Sequence, residues 1–120
     1  MSKYFKPAEF VRCTPSCKIE DMDPAFLEVL DNIRETAGIP LVLNCAFRSK
    51  AWDLAKGRSG NSAHTRGKAA DIRCLSNATR LKIVKAAILC GVKRIGIGKT
   101  FVHVDIDESL SQNVMWHYYE

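Results

Sequence analysis

The sequence predicts a small α+β domain with a mostly antiparallel sheet and flanking helices. Two helical patterns are interspersed with four short apolar segments that have the length and composition of strands. The segments between these strands vary too much in length for a regular series of strand–helix–strand units. With 120 residues and no repeat or linker, the chain is expected to form one domain over residues 1–120.

The composition is that of an ordinary globular protein. Hydrophobic residues make up 47% of the chain and charged residues 26%, so a core can form without stabilising cross-links. The net charge of +5 would suit an anionic polymer, but lysines scattered over several faces explain it more simply. No stretch approaches the roughly 20 apolar residues of a membrane span. We expect a monomer.

The cysteines are expected to be reduced thiols. Their number is odd, and a chain of this length needs no disulfide framework. The opening MSKYFKPAEF lacks the apolar core of a signal peptide, so we expect synthesis in the cytosol. Cys13 and Cys17 are close in sequence, but no second close pair would complete a four-ligand zinc site. Buried or idle thiols are therefore favoured for Cys13, Cys17, Cys45, Cys74 and Cys90.

The first predicted helix begins after Asp23. The Asp23 side chain can cap free backbone N–H groups, and Pro24 suits the first helical position. Gly38 and Pro40 end the pattern. The apolar residues along one face of this helix are Phe26, Leu30, Ile33 and Ala37.

Strands and a second helix follow. PLVLNCAF is a predicted strand ending near Arg48, and a polar stretch then leads into a second strand, KAADIRC. A helix is predicted from near Ser76 to Gly91. Its periodic apolar face consists of Leu81, Val84 and Ile88. KRIGIG and FVHVDID are the last predicted strands, before a polar tail that carries Trp116, His117 and two tyrosines.

The predicted strand FVHVDID places candidate functional side chains on one face. Alternation places Val102, Val104 and Ile106 on the core face, while His103 and Asp105 project together on the face away from the core. A His–x–Asp pair on an outward face also occurs on ordinary surfaces, so this strand alone does not define a site.

KAADIRC and the loop before it add further candidates. Asp71 shares a strand face with Ala69, a small residue that leaves room beside the carboxylate. Gly67 permits a tight bend that would bring His64 back over the strand. With His103, two imidazoles and one carboxylate can converge, which are the ligands of a catalytic zinc site with its fourth position left for water. The simpler alternatives are that His64 is an ordinary loop histidine and that Asp71 caps the backbone or forms a salt bridge.

The pattern S-x-H-x-x-G-x-A-x-D followed by H-x-D resembles the zinc D-alanyl-D-alanine carboxypeptidases of peptidase family M15. That family shares its architecture with murein endopeptidases, phage endolysins and the hedgehog signalling domain. The matching residues are Ser62, His64, Gly67, Ala69, Asp71, His103 and Asp105. NCAFRS is similar to the family's arginine-bearing segment, and KYFKPAEF resembles its opening motif, so the likeness covers nearly the whole chain.

The resemblance implies one Zn²⁺ per chain, held by His64, Asp71 and His103, which would polarise a peptide carbonyl and activate a water molecule. Arg48 would bind the substrate's carboxylate or a carbonyl oxygen, since its planar fork suits bidentate binding. Ser62 would hydrogen-bond a ligand or the substrate. The simpler alternative for Arg48 is a surface salt bridge.

The sequence departs from the family at the catalytic base. Relatives carry an acidic residue or a histidine two or three positions before the second histidine. This chain has Phe101 and Thr100 there, and neither can accept the proton. Asp105 is placed to orient an imidazole or to take that proton, and we expect it to substitute. The alternatives are that His117 folds in, or that the chain binds metal without efficient catalysis.

The sequence therefore predicts a zinc metallopeptidase acting on peptidoglycan stem peptides, as a D,D- or L,D-carboxypeptidase or an endopeptidase. A phage lysis enzyme released by a holin fits, and so does a cytosolic D-dipeptidase. The alternative is a non-catalytic zinc-containing domain that binds the cell wall or a protein. Nucleic-acid binding has little support, because the basic residues form no recognisable module. The pattern specifies neither the bond cleaved nor zinc over another divalent metal.

Overall fold

The structure is a computed structural model that describes residues 2–118, and it confirms the α+β class. The helices are α1 (Pro7–Val11), α2 (Pro24–Ala37), α3 (Lys50–Ala55) and α4 (Asn77–Leu89). The strands are β1 (Leu43–Cys45), β2 (Ala69–Arg73), β3 (Arg94–Ile97), β4 (Phe101–Asp105) and β5 (Val114–His117). Single 3₁₀ turns occupy Ile19–Asp21 and Ala63–Arg66.

Helix α2 begins and ends where its sequence predicts. The Asp23 carboxylate accepts the backbone N–H of Ala25 at 2.7 Å, which satisfies one of the free donors of the first turn. Gly38 ends the helix in the left-handed conformation. The predicted face is confirmed by the burial of Phe26, Leu30 and Ile33, which pack into the core.

Helix α4 forms as predicted, but its buried face is a different one. Leu81 and Ile88 are 67% and 55% exposed, while Ile83, Ala86 and Ala87 are buried. The helix carries two apolar stripes, and the alanine-bearing stripe packs inward because small side chains let α4 lie close to α2 and β4. Of the predicted apolar face Leu81, Val84 and Ile88, only Val84 packs partly against the core.

The sheet is mixed, with the strand order β1-β2-β4-β3-β5. Strand β2 runs antiparallel to β1 and β4, and β3 runs antiparallel to β4, so the expectation of a mostly antiparallel sheet holds for these pairs. Strand β5 pairs with β3 in parallel. It lies in the predicted polar tail, so the prediction of no strand there is wrong. Its four residues carry too little alternation to stand out from the polar sequence around them.

The two faces of the sheet have different roles. Val102 and Val104 of β4 are fully buried in the core, as alternation predicts. His103 and Asp105 project from the opposite face, also as predicted, yet they too are buried. Two polar side chains are thus enclosed on the side of the sheet that carries no apolar core, a costly arrangement unless they are paired.

Within residues 2–118 no helix is both long enough and apolar enough to cross a bilayer. All the cysteines are free thiols, and each except the partly exposed Cys90 is buried.

Candidate metal centre

One residue from each strand contributes to a single row on the polar face of the sheet. Asp71 on β2 lies opposite Cys45 on β1 and opposite His103 on β4. Gly96 on β3 lies opposite His103, and Trp116 on β5 lies opposite Gly96. Directly opposite residues share a face of the sheet, so this cross-strand row brings a thiol, a carboxylate, an imidazole and an indole into line.

His64 reaches this row from the 3₁₀ turn Ala63–Arg66. Gly67 ends the turn with φ of 71°, in the left-handed region. A Cβ at Gly67 would lie 2.5 Å from the backbone oxygen of Asp21, so a larger residue does not fit. The chain reverses there, as predicted, and His64 Nε2 lies 3.4 Å from Asp71 Oδ1.

His103 approaches the same carboxylate oxygen from β4. Its Nδ1 lies 2.9 Å from Asp71 Oδ1, and the two imidazole rings are 5.0 Å apart between centroids. In each imidazole, the ring nitrogen that does not face Asp71 makes a hydrogen bond that fixes the ring. Nδ1 of His64 donates to the carbonyl oxygen of Ala46 at 2.6 Å, and Nε2 of His103 donates to Asp105 Oδ2 at 2.7 Å. The structure thus brings together the side chains predicted as metal ligands.

The electrostatics of this cluster suit a cation. Burial opposes ionisation of Asp71, but hydrogen bonds from His103 and His64 outweigh it and hold the pKa of the carboxyl well below its usual range. Burial likewise lowers the pKa of His64 and His103, yet their hydrogen bonds to carboxylates more than compensate, so each pKa is raised. The charge of the Asp71 carboxylate is thus stabilised by the two imidazoles that converge on it.

The donor set fits zinc. Zinc ligands at about 2.0–2.1 Å in a tetrahedron stand about 3.3 Å apart, close to the spacings of both imidazoles from Asp71. Imidazoles whose outer N–H is hydrogen-bonded, here to Ala46 and Asp105, are typical of metal ligands. Cys45, which the sequence did not indicate, is also near. Its sulfur, a nitrogen of His64 and an oxygen of Asp71 all lie within 4.8 Å of one another, whereas His103 is not part of this compact group and contacts it through Asp71.

Asp105, the predicted catalytic base, is held beneath His103. Its Oδ2 accepts from His103, while its Oδ1 lies 2.8 Å from Arg94 Nε and accepts the backbone N–H of Asp107 at 3.1 Å. The residue is only 1% exposed. These contacts suit a side chain that orients His103, while proton transfer by Asp105 stays a prediction.

Arg48 lies in a buried polar network rather than in a surface salt bridge. Its Nε is 2.9 Å from Asp53 Oδ1, and Nη2 donates to Ser62 Oγ at 3.3 Å. Ser62 in turn donates to Asp53 Oδ2 at 3.3 Å. Asp53 is almost fully buried, yet the sequence pattern does not reveal it, because it sits on α3 inside a stretch that reads as polar loop.

A cavity of about 390 Å³ opens onto these groups. Its walls include every predicted site residue, namely Arg48, Ser62, His64, Asp71, His103 and Asp105. The wall residues that the sequence did not assign to the site include Arg58, Arg94, Phe101 and Tyr118. Of the two tryptophans, Trp116 lines the cavity and Trp52 does not. His117, the alternative base, does not line it either, because it alternates with Trp116 along β5.

Gly96 makes room for the aromatic wall. The ring of Trp116 lies 5.4 Å from that of His103, between centroids, and passes over the backbone of Gly96. A Cβ at Gly96 would stand 2.7 Å from both Trp116 Nε1 and Tyr118 Cε2. Only a glycine at this point of the cross-strand row leaves space for both rings.

Comparisons with known proteins agree with this architecture. The family described as Peptidase M15 matches residues 3–105. The crystal structure of the L-Ala D-Glu endopeptidase ChiX of Serratia marcescens is similar in fold, with a TM-score of 0.54 and 17% sequence identity. The likeness covers 82% of this chain and 88% of that one. No curated protein matches the chain in sequence.

Proposed function

The chain belongs to the peptidase M15 family, and on that premise we propose that it is a zinc-dependent hydrolase of peptidoglycan peptides. The observation that carries the proposal is the convergence of His64 Nε2 and His103 Nδ1 on one oxygen of Asp71, at 3.4 and 2.9 Å. The similar fold of an enzyme described as an L-Ala D-Glu endopeptidase supports a peptide bond next to D-glutamate as the first to test.

Zinc bound at this centre would supply Lewis-acid polarisation of the scissile carbonyl and a water molecule activated for attack. His64, Asp71 and His103 would hold it. The backbone carbonyl of Ala46 and the carboxylate of Asp105 keep the outer N–H of each imidazole fixed, so that the inner nitrogens face Asp71.

Arg48 and Ser62 would position the substrate. The pairing with Asp53 fixes the Arg48 guanidinium against the cavity wall but engages only part of its five N–H donors. The remaining donors can bind a carbonyl oxygen of the peptide as negative charge develops on it. Ser62 hydrogen-bonds both Arg48 and Asp53, and so helps to hold that guanidinium in place.

The test combines metal content with turnover. Protein purified without a histidine tag should contain about one zinc per chain and should hydrolyse an L-Ala-D-Glu peptide or a D-Ala-D-Ala peptide. His103→Ala should lose both properties. His117→Ala is the matched control, because His117 lies outside the cavity wall, and it should keep both.

Two results would count against the proposal. Absence of metal after zinc is supplied would remove its basis. Stoichiometric zinc without hydrolysis of either peptide would favour the alternative of a non-catalytic zinc-containing domain.

A further inference from the structure

Three arginines line the cavity, and two of them are neutralised by buried carboxylates. Arg48 pairs with Asp53 at 2.9 Å, and Arg94 pairs with Asp105 at 2.8 Å. Both carboxylates are almost completely shielded from solvent, so their charges act on their arginine partners with little screening. These two arginines therefore contribute little free positive charge to the cavity.

Arg58 is different. Among residues 2–118, no carboxylate lies within ion-pair distance of its guanidinium. Its place is nonetheless defined by two contacts. The guanidinium carbon lies 5.3 Å from the ring centroid of Trp52, and the backbone N–H donates to the carbonyl oxygen of Asp53 at 2.9 Å. A cation held by stacking on an aromatic ring keeps its N–H donors available to a ligand.

We infer that Arg58 binds a free carboxylate of the substrate, so that the cavity selects acidic peptides. The inference rests on the proposed function, because it requires a peptide in this cavity. A planar guanidinium binds a carboxylate through two parallel hydrogen bonds, and such charge-assisted pairs are stronger than neutral ones. Arg58 is thus a specificity residue, distinct from Arg48, whose carboxylate partner is supplied by the protein itself.

The experiment uses two substrates that differ in one group. The first is an L-Ala-D-Glu peptide with a free carboxylate on D-Glu, and the second carries a carboxamide at that position. The wild-type protein should prefer the free acid by about tenfold or more in kcat/KM, mainly through KM. In Arg58→Gln the two peptides should be hydrolysed with similar kcat/KM.

Lys56→Gln is the matched control. Lys56 Nζ lies 5.4 Å from the centroid of the same Trp52 ring, so the variant removes an equal charge from the same loop. Lys56 does not line the cavity, and this variant should keep the wild-type preference for the free acid. Arg58→Lys should retain only part of it, because a point charge cannot form the bidentate pair.

A preference for the free acid that survives in Arg58→Gln would overturn the inference while leaving the proposed peptidase function intact. Calorimetric titration of the same two peptides into wild type and Arg58→Gln measures binding independently of turnover. Tighter binding of the acid, abolished by the substitution, supports the inference even if no peptide is cleaved. Equal binding of acid and amide to wild type refutes it.

Discussion

The carboxylate of Asp105 has separate partners for its two oxygens, His103 for one and Arg94 for the other. A group so placed can fix an imidazole in one orientation and keep its outer nitrogen protonated. The geometry therefore favours a positioning role over the role of catalytic base that the sequence suggested.

Replacement of Asp105 by asparagine separates these roles. If the residue positions His103, zinc affinity should fall by about 10–100-fold, and kcat should return to within a few-fold of wild type at saturating zinc. Metal titration followed by steady-state kinetics measures both quantities. A kcat that stays lower by about 10²-fold or more, with the zinc site full, would instead identify Asp105 as the proton acceptor. The exposed neighbour Glu108, changed to glutamine, serves as the control.

Among single residues, the sequence indicates the proposed ligands better than it indicates the groups that hold those ligands in place. The convergence of His64, Asp71 and His103 could be predicted because strand alternation sets the faces of Asp71 and His103 and Gly67 permits the bend after His64, and the resemblance to the M15 family proposed them as ligands. Asp53, Cys45 and the carbonyl of Ala46 could not, because their closeness to the site follows from how α3 and β1 pack. Such tertiary contacts produce no periodic pattern of residue types in the sequence.

Strand β5 adds an aromatic wall to a centre built by the other strands. The family match ends at residue 105, before β5 begins at Val114, so this wall lies outside the matched segment. Trp116 lies close to two functional groups, with its ring 5.4 Å from that of His103 and 4.9 Å from the Arg94 guanidinium carbon. The strand therefore forms one side of the space in which a peptide would bind.

Gly96→Ala tests the role of this strand. The added methyl group meets the rings of Trp116 and Tyr118 at 2.7 Å, so both must move outward. We expect KM to rise by about three- to tenfold with metal content unchanged, since the substitution alters the wall and not the ligands. In a Trp52→Phe background, Trp116 emission should shift to longer wavelength as its ring becomes more exposed. Unaltered emission and kinetics would show that β5 does not shape the cavity.

Elements were predictable where one local signal dominated. Helix α2 has a capping aspartate, a first-turn proline, a single apolar face and a terminal glycine, all of which agree. Helix α4 has two apolar stripes, and only tertiary packing chooses between them. The strand order places β4 between β2 and β3, a non-local arrangement that no stretch of sequence encodes by itself.

The whole molecule should report metal binding through its stability. A ligand that binds only the folded state at about a thousand times its Kd adds about 4 kcal/mol to the free energy of unfolding. For a domain of this size the corresponding rise in Tm is on the order of 10 °C. Thermal unfolding of metal-free protein with and without zinc measures it. His103→Ala should show no such rise, and an equal rise in that variant would mean that zinc binds elsewhere.

Because of the cross-strand row, the proposed metal centre can form only when the strands of the sheet pair in the correct register. The two proposed ligands that strands supply, Asp71 and His103, lie on neighbouring β2 and β4, and β3 and β5 extend the same line. A slip of one residue in the β2–β4 pairing would turn Asp71 and His103 to opposite faces of the sheet. A misregistered conformer would thus have no complete set of ligands, and zinc would bind only molecules with the native pairing. Metal supplied during refolding would therefore increase the fraction of molecules with the native β2–β4 register, because it would stabilise them and not the misregistered conformers.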